Sequence, residues 1–113
     1  MAQQEWLELC HEHDLIEGGG VCALVGKQQI AIFADEKKDE IYAVGNYDPA
    51  GQAEVLYRGI IGDVSGELVV ASPLFKHHYS LRDGRCLEDE QLSIPVFPSK
   101  VNQGRVFVSL VAL

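Results

Sequence analysis

The chain has 113 residues, 9 Lys and Arg against 17 Asp and Glu, and a formal net charge of -8. That length suits one compact domain, which hides roughly two-thirds of its extended surface on folding and needs no staples. The acidic balance disfavours a nucleic-acid partner, because like charges repel across such an interface. Residues 1–5 lack the basic start and apolar run of a secretion signal. The longest uncharged apolar stretch, Val106 to Leu113, is too short to cross a bilayer, so a soluble, cytoplasmic protein with no membrane partner is expected.

Short runs rich in Val, Ile, Phe and Tyr, separated by Gly, Asp, Asn and Pro, predict an all-β domain with little helix. Glu5 to Cys10 alternates polar and apolar residues, as a half-buried strand does. His11 to Glu17 predicts a helical turn, ended by Gly18-Gly19-Gly20 through positive φ. Val21–Val25 and Gln29–Phe33 predict a hairpin turning at Gly26-Lys27, and residues 34–40 a solvated charged turn before a strand over Ile41–Val44. Gly59–Asp63 and Gly66–Ala71 predict two strands turning at Val64-Ser65. His78–Leu81 predicts another, meeting a turn at Asp83-Gly84. Ile94–Val101 and Arg105–Leu110 form the last predicted hairpin, turning at Asn102-Gln103-Gly104. Pro95 and Pro98 cannot donate ladder hydrogen bonds, so the first of these strands belongs at an edge or is interrupted.

Two loops interrupt this pattern. The first, Asn46-Tyr47-Asp48-Pro49-Ala50, and the second, Ser72-Pro73-Leu74-Phe75, have the frame of an iron–sulfur ligand loop pair. Over the Rieske pattern of a C-P-H loop and a C-P-x-H loop, Asp48 and Ser72 fall in the cysteine positions, Ala50 and Phe75 in the histidine positions. A Rieske centre needs two thiolates and two imidazoles. A methyl and a phenyl group have no lone pair to donate, and the oxygens of Asp48 and Ser72 are poor ligands for a soft iron–sulfide core.

Trp6, the run 20–24 with 29–33, Asn46-Tyr47-Asp48-Pro49, the runs 56–62 and 66–74, and residues 81–90 together make the chain resemble the small subunit of cytoplasmic NAD(P)H-dependent nitrite reductase. That resemblance implies a Rieske-like β-sandwich or open barrel over residues 1–113, with a small inserted cluster-type subdomain at 46–85. It also implies a non-catalytic accessory subunit of nitrate assimilation. In that family the large subunit carries FAD, sirohaem and an iron–sulfur cluster and reduces nitrite to ammonium. This chain is expected to hold no cofactor and to bind the large subunit through its loop tips, with Tyr47, Pro49, Pro73, Phe75 and Lys76 as contacts. The rival expectation is a Rieske-type [2Fe-2S] ferredoxin or dioxygenase electron-transfer component, and a small hydrolase ranks last.

Other chemistry-bearing residues have plainer readings. Cys10, Cys22 and Cys86 are too few and odd in number for a disulfide framework. Cys22, inside an apolar run, is expected in the core, and Cys86 similarly. Cys10-His11-x-His13 resembles half a zinc site without a second ligand pair and reads as a polar turn. His77 and His78 point to opposite sides of a strand. Either Cys10 with His11 or His13, or Ser72 with His78, offers a nucleophile and a base, without the orienting group that such a site also requires. Tyr79 is expected to fill the volume vacated by the cluster, and Phe75 either to pack there or to present an interface. Arg58, Lys76 and Arg82 read as solvated charges.

Overall fold

A computed structural model describes residues 5–16, 19–35 and 40–111. Twelve strands occur among them: β1 (Leu7–His11), β2 (Gly20–Val25), β3 (Gln28–Ala34), β4 (Ile41–Gly45), β5 (Tyr47–Asp48), β6 (Ala53–Glu54), β7 (Ile60–Val64), β8 (Glu67–Ala71), β9 (His78–Ser80), β10 (Val96–Phe97), β11 (Ser99–Asn102) and β12 (Arg105–Val108). Among the described residues helix is limited to two single 3-10 turns, Glu12–Asp14 and Leu56–Arg58. Every pairing is antiparallel. The all-β expectation is borne out.

The middle layer is the sheet β10-β4-β3-β2, and β3 explains why. Its residues Ile30 to Ala34 are apolar without interruption and all are buried. A strand reads that way when both faces are covered. Ile30, Ile32 and Ala34 face one core, closed by Val106 and Val108 of the sheet β1-β12-β11. Ala31 and Phe33 face the opposite core, shared with Leu56, Val70, Tyr79 and Leu81 from the segment that carries the two loops. The inserted loops therefore stand on the central sheet through a common core.

Several local expectations are corrected. The Ile94–Val101 segment is interrupted and at an edge, as its prolines predict, but the interruption divides it between two sheets: β10 is the edge of the central sheet, β11 an edge of the other, and Pro98 lies between them. Proline removes the ladder donor at the point where the chain changes layer. The β7–β8 turn is Ser65-Gly66, both left-handed at φ 53 and 86, instead of Val64-Ser65. Two successive positive-φ residues give the hairpin turn whose twist matches its strands, and that moves the turn onto the glycine. The first strand starts at Leu7 and runs to His11, with a bulge between Glu8 and Cys10. Gly18 lies outside the described residues, and Gly19 and Gly20 are not among the left-handed glycines. Gly20 instead begins β2, where a Cβ would meet the Phe33 ring at 2.5 Å and the Tyr57 carbonyl at 2.6 Å. The bulk of the charged turn, 36–39, lies outside the described residues.

Cys22 is exposed, contrary to its expected core position. Along β2, Val21, Ala23 and Val25 turn to the core, and Cys22 and Leu24 alternate outward. Cys86 is buried as expected.

The shared core predicts a specific cost. Phe33→Ala removes a fully buried ring beneath the loop segment and is expected to lose about 3–5 kcal/mol of unfolding free energy, measured by urea titration.

Candidate functional site

The two loops leave adjacent sheets and are fixed at their bases by different means. The first leaves β4 through Asn46, which is fully buried between apolar β4 and the loop. Its backbone N–H donates to the Gln29 carbonyl (3.0 Å) and its carbonyl accepts from the Leu56 N–H (3.1 Å). Its side chain donates to Gln29 Oε1 (3.0 Å) and accepts from the Tyr57 N–H (2.7 Å). One amide thus fastens both ends of the loop to β3. The second loop joins β8 to β9 and is closed by the Ser72 N–H on the His77 carbonyl (2.9 Å).

Asp48, at the end of β5, is the centre of the site. It is fully buried, and no ion pair with a cation is found for it among the described residues. A buried carboxylate is tolerated only when donors replace its water. Here the Ser72 hydroxyl donates to Oδ2, the Tyr79 hydroxyl to Oδ1 (2.7 Å) and the Ala50 N–H to Oδ1 (2.9 Å). Burial pushes the carboxyl pKa up. The Ser72 and Tyr79 hydroxyls, with the Gly51 and Ala50 N–H groups, outweigh that and hold it below the ordinary value of 3.8. The same contacts act on Tyr79 in the other direction, because burial and donation to a carboxylate push the phenol up. Ser72 Oγ also accepts from the Leu74 N–H at 3.2 Å.

Asp48 and Ser72, which the resemblance sets in the cysteine positions, are therefore brought together in direct contact. Ala50, in the first histidine position, contributes only its N–H. Phe75, in the second, is 71 % exposed, with its ring in solvent instead of packed in the site. These residues do not fit an iron–sulfur cluster: the two oxygen-bearing side chains bond to each other, and the other two have no donor atom. Among the described residues no group of three or more His, Cys, Asp or Glu side chains is placed to hold a metal ion.

Tyr79 fills the site as expected and also ties it, since its ring lies in the core under the loops and its hydroxyl on Asp48. Tyr47 is 46 % exposed and does not fill the void. The loops touch through a contact not apparent in the sequence: a Cβ at Gly51 would come within 2.9 Å of Asp48 Oδ2 and 3.2 Å of Leu74 Cβ. In the sequence nothing sets Gly51, between Ala50 and Gln52, apart from an ordinary turn glycine. The anchoring role of Asn46 has one signal in the sequence, a polar residue directly after an apolar strand.

The remaining candidates are structural. His78 Nδ1 lies 2.5 Å from Glu88 Oε2, and its N–H donates to Glu88 Oε1 (2.7 Å), so it is not aimed at Ser72. The Ser72 hydroxyl is buried and donates to Asp48, so it is not paired with His78. His77 Nδ1 is buried with no hydrogen-bond partner among the described residues. His11 and His13 stack on each other, ring centroids 5.2 Å apart. Desolvation, with Asp14 adding to it, raises the Cys10 thiol pKa, and desolvation raises that of Cys86, disfavouring the thiolate in both. Arg58 lies over the Tyr57 ring at 5.5 Å, and Lys76 and Arg82 are exposed.

Comparison with known proteins places these features in a wider set. The Rieske-like [2Fe-2S] domain profile matches residues 5–109. The nitrite reductase (NADH) small subunit of Salmonella typhimurium is 45 % identical over 102 residues, covering 90 % of this chain and 94 % of that protein. The solution structure of nitrite reductase [NAD(P)H] small subunit from Erwinia carotovora superposes with a TM-score of 0.80 at 44 % identity, over 94 % of this chain and 82 % of that one. The nitrite reductase [NAD(P)H] large subunit of Klebsiella oxytoca is 36 % identical over 108 residues, which is 96 % of this chain but 11 % of that protein.

Two outcomes follow from the buried carboxylate. Tyr79→Phe leaves Asp48 short of one donor and is expected to cost about 1–3 kcal/mol in chemical denaturation. Because the folded carboxyl titrates below its ordinary value, its stabilisation is complete above the unfolded pKa and is lost as pH falls through the folded pKa. Unfolding free energy measured from pH 6 downward should therefore drop below about pH 4 in the native chain. Asp48→Asn, less stable throughout, should show a smaller drop over the same range.

Proposed function

The chain belongs to the nitrite reductase small-subunit family built on a Rieske-like domain, and from that premise we propose that it is the non-catalytic accessory subunit of an assimilatory NAD(P)H-dependent nitrite reductase. Its partner is the large subunit that reduces nitrite to ammonium. The observation that carries this reading is the Klebsiella oxytoca large subunit, which holds a segment similar to nearly the whole of this chain within its own polypeptide. Covalent linkage keeps a domain at millimolar effective concentration beside the rest of the protein, and a separate chain needs an interface for the same proximity.

In this proposal the chain brings no cofactor, because positions 48, 50, 72 and 75 lack the ligands, and FAD, sirohaem and the iron–sulfur cluster stay on the large subunit. It is one Rieske-like domain over 1–113 with 46–85 as the cluster-type subdomain, working in the cytoplasm. No helix among the described residues is long and apolar enough to cross a membrane. The loop tips make the contact, through Tyr47 and Pro49 on the first loop and Pro73, Phe75 and Lys76 on the second. An aromatic ring exposed at the tip of an ordered loop supports this choice, since such side chains dominate interface energetics when buried by a partner.

The test is co-purification of tagged chain with its large subunit, followed by titration. Phe75→Asp is expected to weaken association by roughly 30-fold or more, as removal of an aromatic anchor does, with an unchanged circular dichroism spectrum. Association equal to that of the native chain would move the interface away from the tips.

A further inference from the structure

In a cluster-bearing Rieske domain the irons and sulfides join the two loops through four ligand bonds. We propose that Asp48 has taken over this joining role: it is a positioning residue whose carboxylate holds the two loop tips in a single arrangement for the large subunit. This rests on the reading of the tips as the partner contact.

An unbroken chain of hydrogen bonds runs from one tip to the other. The Ala50 N–H on the first loop donates to Asp48, the Ser72 hydroxyl on the second donates to the same carboxylate, and the Leu74 N–H donates to Ser72 Oγ. Tyr79 anchors this chain from the core below. The tie is needed, because local preference does not set the shape of either loop. Each contains a non-glycine residue in the left-handed region, Gln52 at φ 55 and Lys76 at φ 58. Such conformations persist only where the surroundings over-determine them. Gln52 donates its N–H to the Asp48 carbonyl (2.6 Å) and Lys76 to the Leu74 carbonyl (2.6 Å), so both strained residues hang on the tied positions. Tyr47, Leu74 and Phe75, exposed by 46, 39 and 71 %, are thereby presented on loops already ordered, which removes an ordering cost from binding.

The experiment measures amide hydrogen exchange in the native chain, Asp48→Asn and Ser72→Ala, with Ile32→Val as a control that loses stability in the opposite core. Affinity for the large subunit is measured for the same four proteins. Expected are an increase of about tenfold or more in exchange at residues 50–52 and 74–77, with β3 amides changed only as far as global stability requires, and a parallel loss of affinity. Ile32→Val should leave loop exchange and affinity close to native. Should Asp48→Asn fail to fold, Ser72→Ala carries the test, because it removes one arm and leaves the carboxylate its other donors. The proposal is overturned if loop exchange stays native, if exchange rises equally across the chain, or if loosened loops bind as tightly as before. Failure of the docking reading is separate: it appears as native affinity in Phe75→Asp, and the exchange measurement needs no partner.

Discussion

An ionised carboxylate sealed from water has to be compensated, and at Asp48 the compensation comes from hydroxyl and amide donors, with no neighbouring cation in the hydrogen-bond set. Each donor comes from a different place: its own loop, the facing loop and strand β9. The site therefore exists only when three separate segments are in register at once. Tyr79 makes this dependence reach into the core, since one side chain both packs under the loops and satisfies the carboxylate above them. Packing beneath and polar satisfaction at the tip are two ends of one residue.

The rest of the fold serves as a platform for that arrangement. β3 is covered on both faces, and Asn46 fastens the first loop to it through backbone and side chain together. The second loop inherits its position from β8, whose Val70 lies in the same core as Phe33 and Leu56. What is left outside this framework is the tips. Phe75 stands there with its ring in water at the end of an ordered mount, the feature on which the proposed docking rests.

Much of this was legible in the sequence where chemistry, and not geometry, carried the information. Once the Rieske resemblance aligns 48, 50, 72 and 75 with the ligand positions, their inability to hold a cluster follows from side-chain identity, and the strand runs follow from β-branched and aromatic clusters between turn residues. Phase was harder. In Val21-Cys22-Ala23-Leu24-Val25 every residue is apolar, so nothing in the run says which alternate set faces inward, and Cys22 was misplaced for that reason. In the segment from Ile94 to Val101 the prolines signal an edge or an interruption, but the composition does not change where the chain crosses between sheets, so the change of sheet itself is not legible. The hydroxyl of Tyr79 was hidden by its ring, since volume explains a buried tyrosine until a carboxylate is found beside it. Gly51 and Leu74 touch across loops 23 residues apart, a relation that no local pattern encodes.

Apolar residues would have filled the vacated space with less desolvation, and a buried polar pair replaced by hydrophobic groups is often neutral or stabilising. The difference lies in what each filling penalises. An apolar plug packs nearly as well after a small shift of one loop against the other, because dispersion is non-directional. A buried carboxylate charges heavily for any shift that removes a donor, since the uncompensated group is far costlier than a hydrogen bond is favourable. A cluster imposes the same kind of directional constraint through its metal–ligand bonds. Asp48 and Ser72 thus impose the same kind of directional constraint through hydrogen bonds, with two loops held in one relative position.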